Sequence, residues 1–137
     1  MFSESPVIRS LSTFIFPYIV LYSVYIQLNG EISPGGGFQA GVIFASAIIA
    51  INLVSNKIQA ISELTVNSLL AIMALGVFIY AGVGLVSFFH GSYYLDYYSL
   101  ANDRHTSQNL GIFIIELGVG LTVSSVMCLI YFLFKDA

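Results

Sequence analysis

Charge is what this chain has least of. Only 8% of its 137 residues are charged, where soluble domains carry about 25%. A water-facing surface built from so few charges would be largely apolar and would aggregate, which excludes an ordinary soluble domain. Basic residues are scarcer still, four against seven acidic ones for a formal net charge of -3. With no basic patch there is no electrostatic basis for binding nucleic acid. Cysteine occurs once, as Cys128. A lone thiol makes no internal disulfide and supplies no metal cluster, and among apolar neighbours it reads as a small buried hydrophobe. The two histidines, His90 and His105, both fall in or beside one polar loop. They form no facing pair for a haem and are too few for zinc, so they read as surface histidines and no cofactor or metal site is expected.

What the chain has in abundance is apolar residues, 58% of the total, with a mean hydropathy of +0.91. They gather into four stretches, about 11–28, 38–54, 64–89 and 110–134. Each is near or above the length that spans a bilayer as a helix. The runs are continuous rather than alternating, which favours helices over barrel strands. The fold expected is an all-α integral membrane bundle of four transmembrane helices, one domain over residues 1–137, lying in the cell (inner) membrane. The first run, behind Arg9, is too long for a signal-peptide core and has no small-residue cleavage site after it, so it reads as a retained anchor. Arg9, Lys57 and Lys135 fall on one side and Arg104 on the other, which predicts cytoplasmic N- and C-termini. The loops 29–37 and 90–109 then face outward. Tyr93, Tyr94, Tyr97 and Tyr98 in the second of these suit a membrane–water interface.

Two segments could carry chemistry. The turn NGEISPGGGFQAG offers Ser33 as a helix cap and Pro34 for the first turn, which would lengthen the second helix. Gly35, Gly36 and Gly37 remove side chains where backbones pass closely. Free amides there could hold an anion, but no Gly-Lys-Ser/Thr follows, so this is not a P-loop. Gly37, Gly41 and Ala45 share one helix face and predict tight helix packing. The second segment is IFIIELGVGLTV, whose Glu116 lies about 9 Å from Leu110 at the start of the last apolar run. A carboxylate inside a membrane costs roughly 2.5–3.5 kcal/mol on insertion scales for a central position, and less near an end. Such acids mark ion or proton routes, or else tie two helices together through a protonated or paired carboxyl. If all four helices end at similar heights, Gln39 is the first partner expected for Glu116, with Tyr22, Tyr25, Gln27 and His90 nearby. Glu31, Asp96 and Asp103 give the outer face a weak cation preference or are plain solvated loop charges.

Residues 28–50, LNGEISPGGGFQAGVIFASAIIA, resemble the signature of the MnhB/MrpB-like membrane subunits of the Mrp-type multisubunit sodium/proton antiporters. Residues 111–132, GIFIIELGVGLTVSSVMCLIYF, resemble the last helix of the same family, and the length and four-helix plan fit as well. Many relatives carry histidine where this chain has Glu31. The resemblance implies exchange of Na+ for H+ by a complex of several membrane subunits. In such a complex the large subunits carry proton channels, and this one is a small, necessary part. None of the four apolar runs here contains an interior lysine, in keeping with that accessory role. Glu116 and Gln39 are then the ion-path candidates, and Gly35, Gly36, Gly37 and Gly41 the packing residues. A structural subunit of a related respiratory complex of the membrane-bound hydrogenase type, without a direct part in transport, is the alternative. An independent membrane enzyme is not expected, because no nucleophile has a base beside it.

Overall fold

In the computed structural model, the described residues are 5–30, 32, 35–54, 66–91, 93–97 and 104–136, the side chains of 104, 105 and 136 excepted. Four helices account for most of them, and there is no strand among the described residues. Helix α1 spans Pro6–Leu28, α2 Gly37–Val54, α3 Val66–Phe89 and α4 Arg104–Asp136. All four are long and apolar enough to cross a membrane. They are apolar on every side rather than along one stripe, as expected of helices solvated by lipid.

Two helices outrun their apolar cores. Helix α1 begins at Pro6, where a missing N–H costs nothing because the first helical donors lack partners anyway. Helix α4 begins at Arg104, ahead of the apolar run, since backbone hydrogen bonding continues through polar residues once the helix is in water. The ends are capped locally. The Asn29 side-chain amide donates to the Tyr25 carbonyl at 2.9 Å. His90 Nδ1 lies 2.9 Å from the Val86 carbonyl, and Gly91, at φ 77°, turns the chain out of α3. Ser33 and Pro34, expected to open the second helix, lie outside the described residues, as do Glu31, Lys57, Tyr98 and Asp103.

The helices stand in a row ordered α1, α2, α4, α3, with α4 packed against both α2 and α3. Glycine makes both of those contacts. A Cβ on Gly41 of α2 would sit 2.8 Å from the Gly120 carbonyl oxygen. One on Gly76 of α3 would sit 2.6 Å from the Gly118 carbonyl oxygen. Without side chains the backbones come into contact, which is how helices gain packing energy in lipid. Nearer the other end the three helices close over a small core of Ala45, Leu69 and Cys128, flanked by Ile48, Leu129 and Phe132. Cys128 is buried there, as its apolar setting predicts. At that same end Asn52 Oδ1 accepts from Tyr131 Oη at 3.1 Å and from Lys135 Nζ at 2.8 Å, tying α2 to α4.

The helix ends are not level. Gly37 begins α2 beside Glu116, whereas α4 continues from Glu116 back to Arg104, about 18 Å at 1.5 Å per residue. Helix α3, in register with α4 at Gly76 and Gly118, rises about 20 Å from Gly76 to Phe89. The α3–α4 pair therefore projects well past the α1–α2 turn. Residues 93–97, between α3 and α4, fold down on the projecting part. The Tyr94 ring rests on Gly84 and the Tyr97 ring on Gly111. Ser107 Oγ donates to the Tyr97 carbonyl. Burial raises the Tyr97 phenol above its ordinary pKa, and the Tyr80 phenol adds to the effect. Tyr93 stays exposed.

Candidate functional site

The first turn of α2 is built directly against Glu116. A Cβ on Gly37 would lie 2.8 Å from the Glu116 carbonyl carbon and 3.0 Å from its Cα. The two backbones touch, and only glycine fits between them. A Cβ on Gly36 would lie 3.0 Å from Glu116 Oε1, and one on Gly30 would lie 2.8 Å from the same oxygen. The carboxyl group thus sits between the chain leaving α1 and the chain entering α2, with glycine on both sides.

That position matters electrostatically. The first intrahelical bond of α2 runs from the Ala40 N–H to the Gly36 carbonyl at 3.0 Å. The amides of Gly37, Phe38 and Gln39 come before it and have no acceptor within the helix. They and the helix dipole present positive potential to the carboxylate, worth about 0.3–1 kcal/mol at an exposed site and up to ~2 kcal/mol when partly buried. This offsets a substantial part of the cost of holding an acid inside the membrane.

Of the residues expected around Glu116, Gln39 shares its level in the first turn of α2, and the others do not converge on it. That expectation needs helix ends at equal heights, and the observed heights differ. Gln39 is exposed, and its amide oxygen lies 3.0 Å from where a Gly35 Cβ would be, one side of the turn away from Glu116. His90 is bonded to the end of α3, about 20 Å farther out. Tyr22 and Tyr25 are exposed on α1. Gln27 does approach α4, but one turn below Glu116, at Gly120. Its Nε2 is buried and has no hydrogen-bond partner among the described residues.

Gln27 lines a cavity of about 250 Å³ between α1, α2 and α4, together with Ser23, Gly41, Leu117, Gly120 and Ser124. The lining is mostly apolar, with Gln27 and the two serines as its polar groups. The Ser23 hydroxyl is already committed to the Ala40 carbonyl at 2.9 Å, and the Ser124 hydroxyl donates to the Leu121 carbonyl at 3.2 Å. Glu116, Gly120 and Ser124 recur every fourth residue and so share one face of α4. That spacing is the signal in the sequence for Gly120 and Ser124. Gly30 carries none, being one more glycine in a polar turn.

Over residues 7–129 the chain matches the family described as a domain related to the MnhB subunit of Na+/H+ antiporter. A protein of Staphylococcus haemolyticus named "Putative antiporter subunit mnhB2" is 28% identical over 127 residues, covering 88% of this chain and 87% of that protein. A protein of the same name from Staphylococcus aureus strain Newman is 26% identical over 127 residues, covering 85% of this chain and 89% of that protein. The match takes in all of α2 and α3, nearly all of α1, and α4 past Cys128, with Glu116 and its glycines inside it. The chain, a multi-pass protein with four membrane-spanning helices, belongs to the MnhB-related family.

Proposed function

We propose that this chain is a small membrane subunit of a multisubunit Na+/H+ antiporter, a transporter component rather than an enzyme. In this reading its glycine faces serve assembly and Glu116 lies on or beside a sodium or proton path at a subunit interface. The family match over residues 7–129 carries the first part. For the second, the supporting observation is the Glu116 carboxyl group placed beside the N-terminus of α2, one turn above a cavity lined by Gln27, whose Nε2 has no hydrogen-bond partner among the described residues. Gly30, Gly36 and Gly37 bring main chain rather than side chains against the carboxyl group. The first-turn amides of α2 face the carboxyl group across these glycines. Gln39, exposed at the same turn, is positioned to take part from the far side of Gly35. The other partners are further membrane subunits of the complex. Both termini lie in the cytoplasm, following the distribution of basic residues. The relatives are named as antiporter subunits, and no observation favours a hydrogenase-type complex.

The test is sodium-dependent proton movement in membrane vesicles, comparing native complex with Glu116→Gln at equal complex abundance. Loss of exchange from an assembled complex is the expected result. Unchanged exchange would make Glu116 a packing residue.

A further inference from the structure

Helix α1 buries little of itself. Its inward face reaches α2 through Ser23 and Ile26, while the opposite face is bare. Along that face lie Leu11, Phe14, Tyr18, Leu21, Tyr25 and Leu28, each between 56 and 67% exposed. Their spacing is three, four, three, four, three, the heptad spacing of helices that pack side by side at a shallow angle. It persists over the whole span. A helix lying along α1 would meet all six.

The stripe also carries a hydroxyl where lipid cannot serve it. Tyr18 is near the middle of α1, about 15 Å from Leu28 and 18 Å from Pro6 at 1.5 Å per residue. A phenol reaches neither end of the helix from there. Tyr25 is on the stripe and Tyr22 beside it, and among the described residues none of the three hydroxyls makes a hydrogen bond. The Tyr18 ring packs against Phe14 with centroids 5.4 Å apart, and the residue stays exposed. Acyl chains offer no acceptor, so a donor left at this depth is costly.

We propose that the Leu11–Leu28 stripe of α1 is a docking seam for a transmembrane helix of a different subunit, one that presents a hydrogen-bond acceptor at the depth of Tyr18. The acceptor is a side-chain oxygen of carboxylate, amide or hydroxyl type. Lipid fails on the Tyr18 hydroxyl. A second copy fails on stoichiometry, because Tyr18 facing Tyr18 uses one proton and leaves the other without an acceptor. The proposal rests on the reading of the chain as a subunit of a complex, and it adds which face does the docking and what the neighbour must offer.

The test uses the tagged full chain in its native membrane, with p-benzoylphenylalanine in place of Tyr18 or photo-leucine in place of Leu21. The second probe is nearly isosteric and preserves the fold. After irradiation the complex is purified through the tag, and its subunits and adducts are identified by mass spectrometry. The expected adduct joins α1 to an apolar helix of another subunit that carries an oxygen-bearing side chain near the link. Adducts to phospholipid only, or to a second copy, overturn the proposal while leaving the subunit reading intact if the partners still co-purify. A chain that purifies alone overturns both. Tyr18→Phe keeps the ring and removes the donor. It should lower recovery of intact complex about threefold, the effect of an average hydrogen bond between membrane helices. Unchanged recovery would show that the hydroxyl has no partner and would overturn the proposal.

Discussion

Adding one methyl group at Gly41 should separate α2 from α4. A Cβ there would meet the Gly120 carbonyl oxygen at 2.8 Å and Val123 Cβ at 3.0 Å, where ordinary contact begins at 3.4 Å. The shortfall at Gly120 is about 0.6 Å, and the obstructing atom is backbone, so no rotamer change relieves it. The valine is held as firmly, since β-branched side chains in helices have one strongly preferred χ1. Helix α2 must therefore back away along much of its contact. Overpacking of this kind costs about 1–3 kcal/mol, or roughly a fivefold to 150-fold loss in the packed population. The assay is thermal unfolding in detergent followed by size-exclusion chromatography, with Gly41→Ala measured beside Gly82→Ala. Nothing lies within 4 Å of a Cβ on Gly82, so that change should be neutral or stabilising by up to ~1 kcal/mol through helix propensity. Equal stability of the two variants would refute the reasoning, because it would mean that α2 and α4 do not meet through glycine.

Three further outcomes follow from the same contacts. Gly36→Ala should assemble nearly as well as native, because the group it meets is the flexible end of Glu116, whereas Gly37→Ala meets the Glu116 backbone and should lose most assembled protein on a native gel. Asn52→Leu should cost about 1–3 kcal/mol in thermal unfolding, since Tyr131 and Lys135 lose their shared acceptor. Asn52→Asp, which keeps the acceptor and adds an attraction to Lys135, should unfold no earlier than native. Leu95 has a φ of 66°, and Leu95→Gly should raise the unfolding midpoint, because a left-handed leucine costs roughly 1–2 kcal/mol that glycine avoids.

Hydropathy makes the four helices legible because in lipid the apolar run and the span are the same physical requirement. The packing face of α2 is legible too, since Gly37 and Gly41 share a side and no other residue type lets backbones touch. The heights of the helices are not. Depth counted from the ends of apolar runs assumes level ends, but α4 continues as a helix to Arg104 and α3 climbs beside it to Phe89, so His90 stands far from Glu116. Gln39 does share the depth of Glu116, in the first turn of α2, but its amide oxygen lies against Gly35. The glycine cradle is hidden for another reason. Reading side chains suggests which side chains meet, and here Glu116 meets main chain.

The uneven heights bear on how the protein sits among lipids. A bilayer core is about 30 Å thick, while α4 alone is about 50 Å long at 1.5 Å per residue. A membrane centred on α1 and α2 leaves Phe88 and Phe89 at the tip of α3 well outside it, and both are exposed. One centred on α3 draws the Glu116 turn below the headgroups. No single flat slab suits both edges of the row, so the annulus of lipid must slope from one edge to the other or the chain must lean. Either way Glu116 sits at the step between the two levels. The local thickness of the membrane thereby sets how far the carboxyl group is from water.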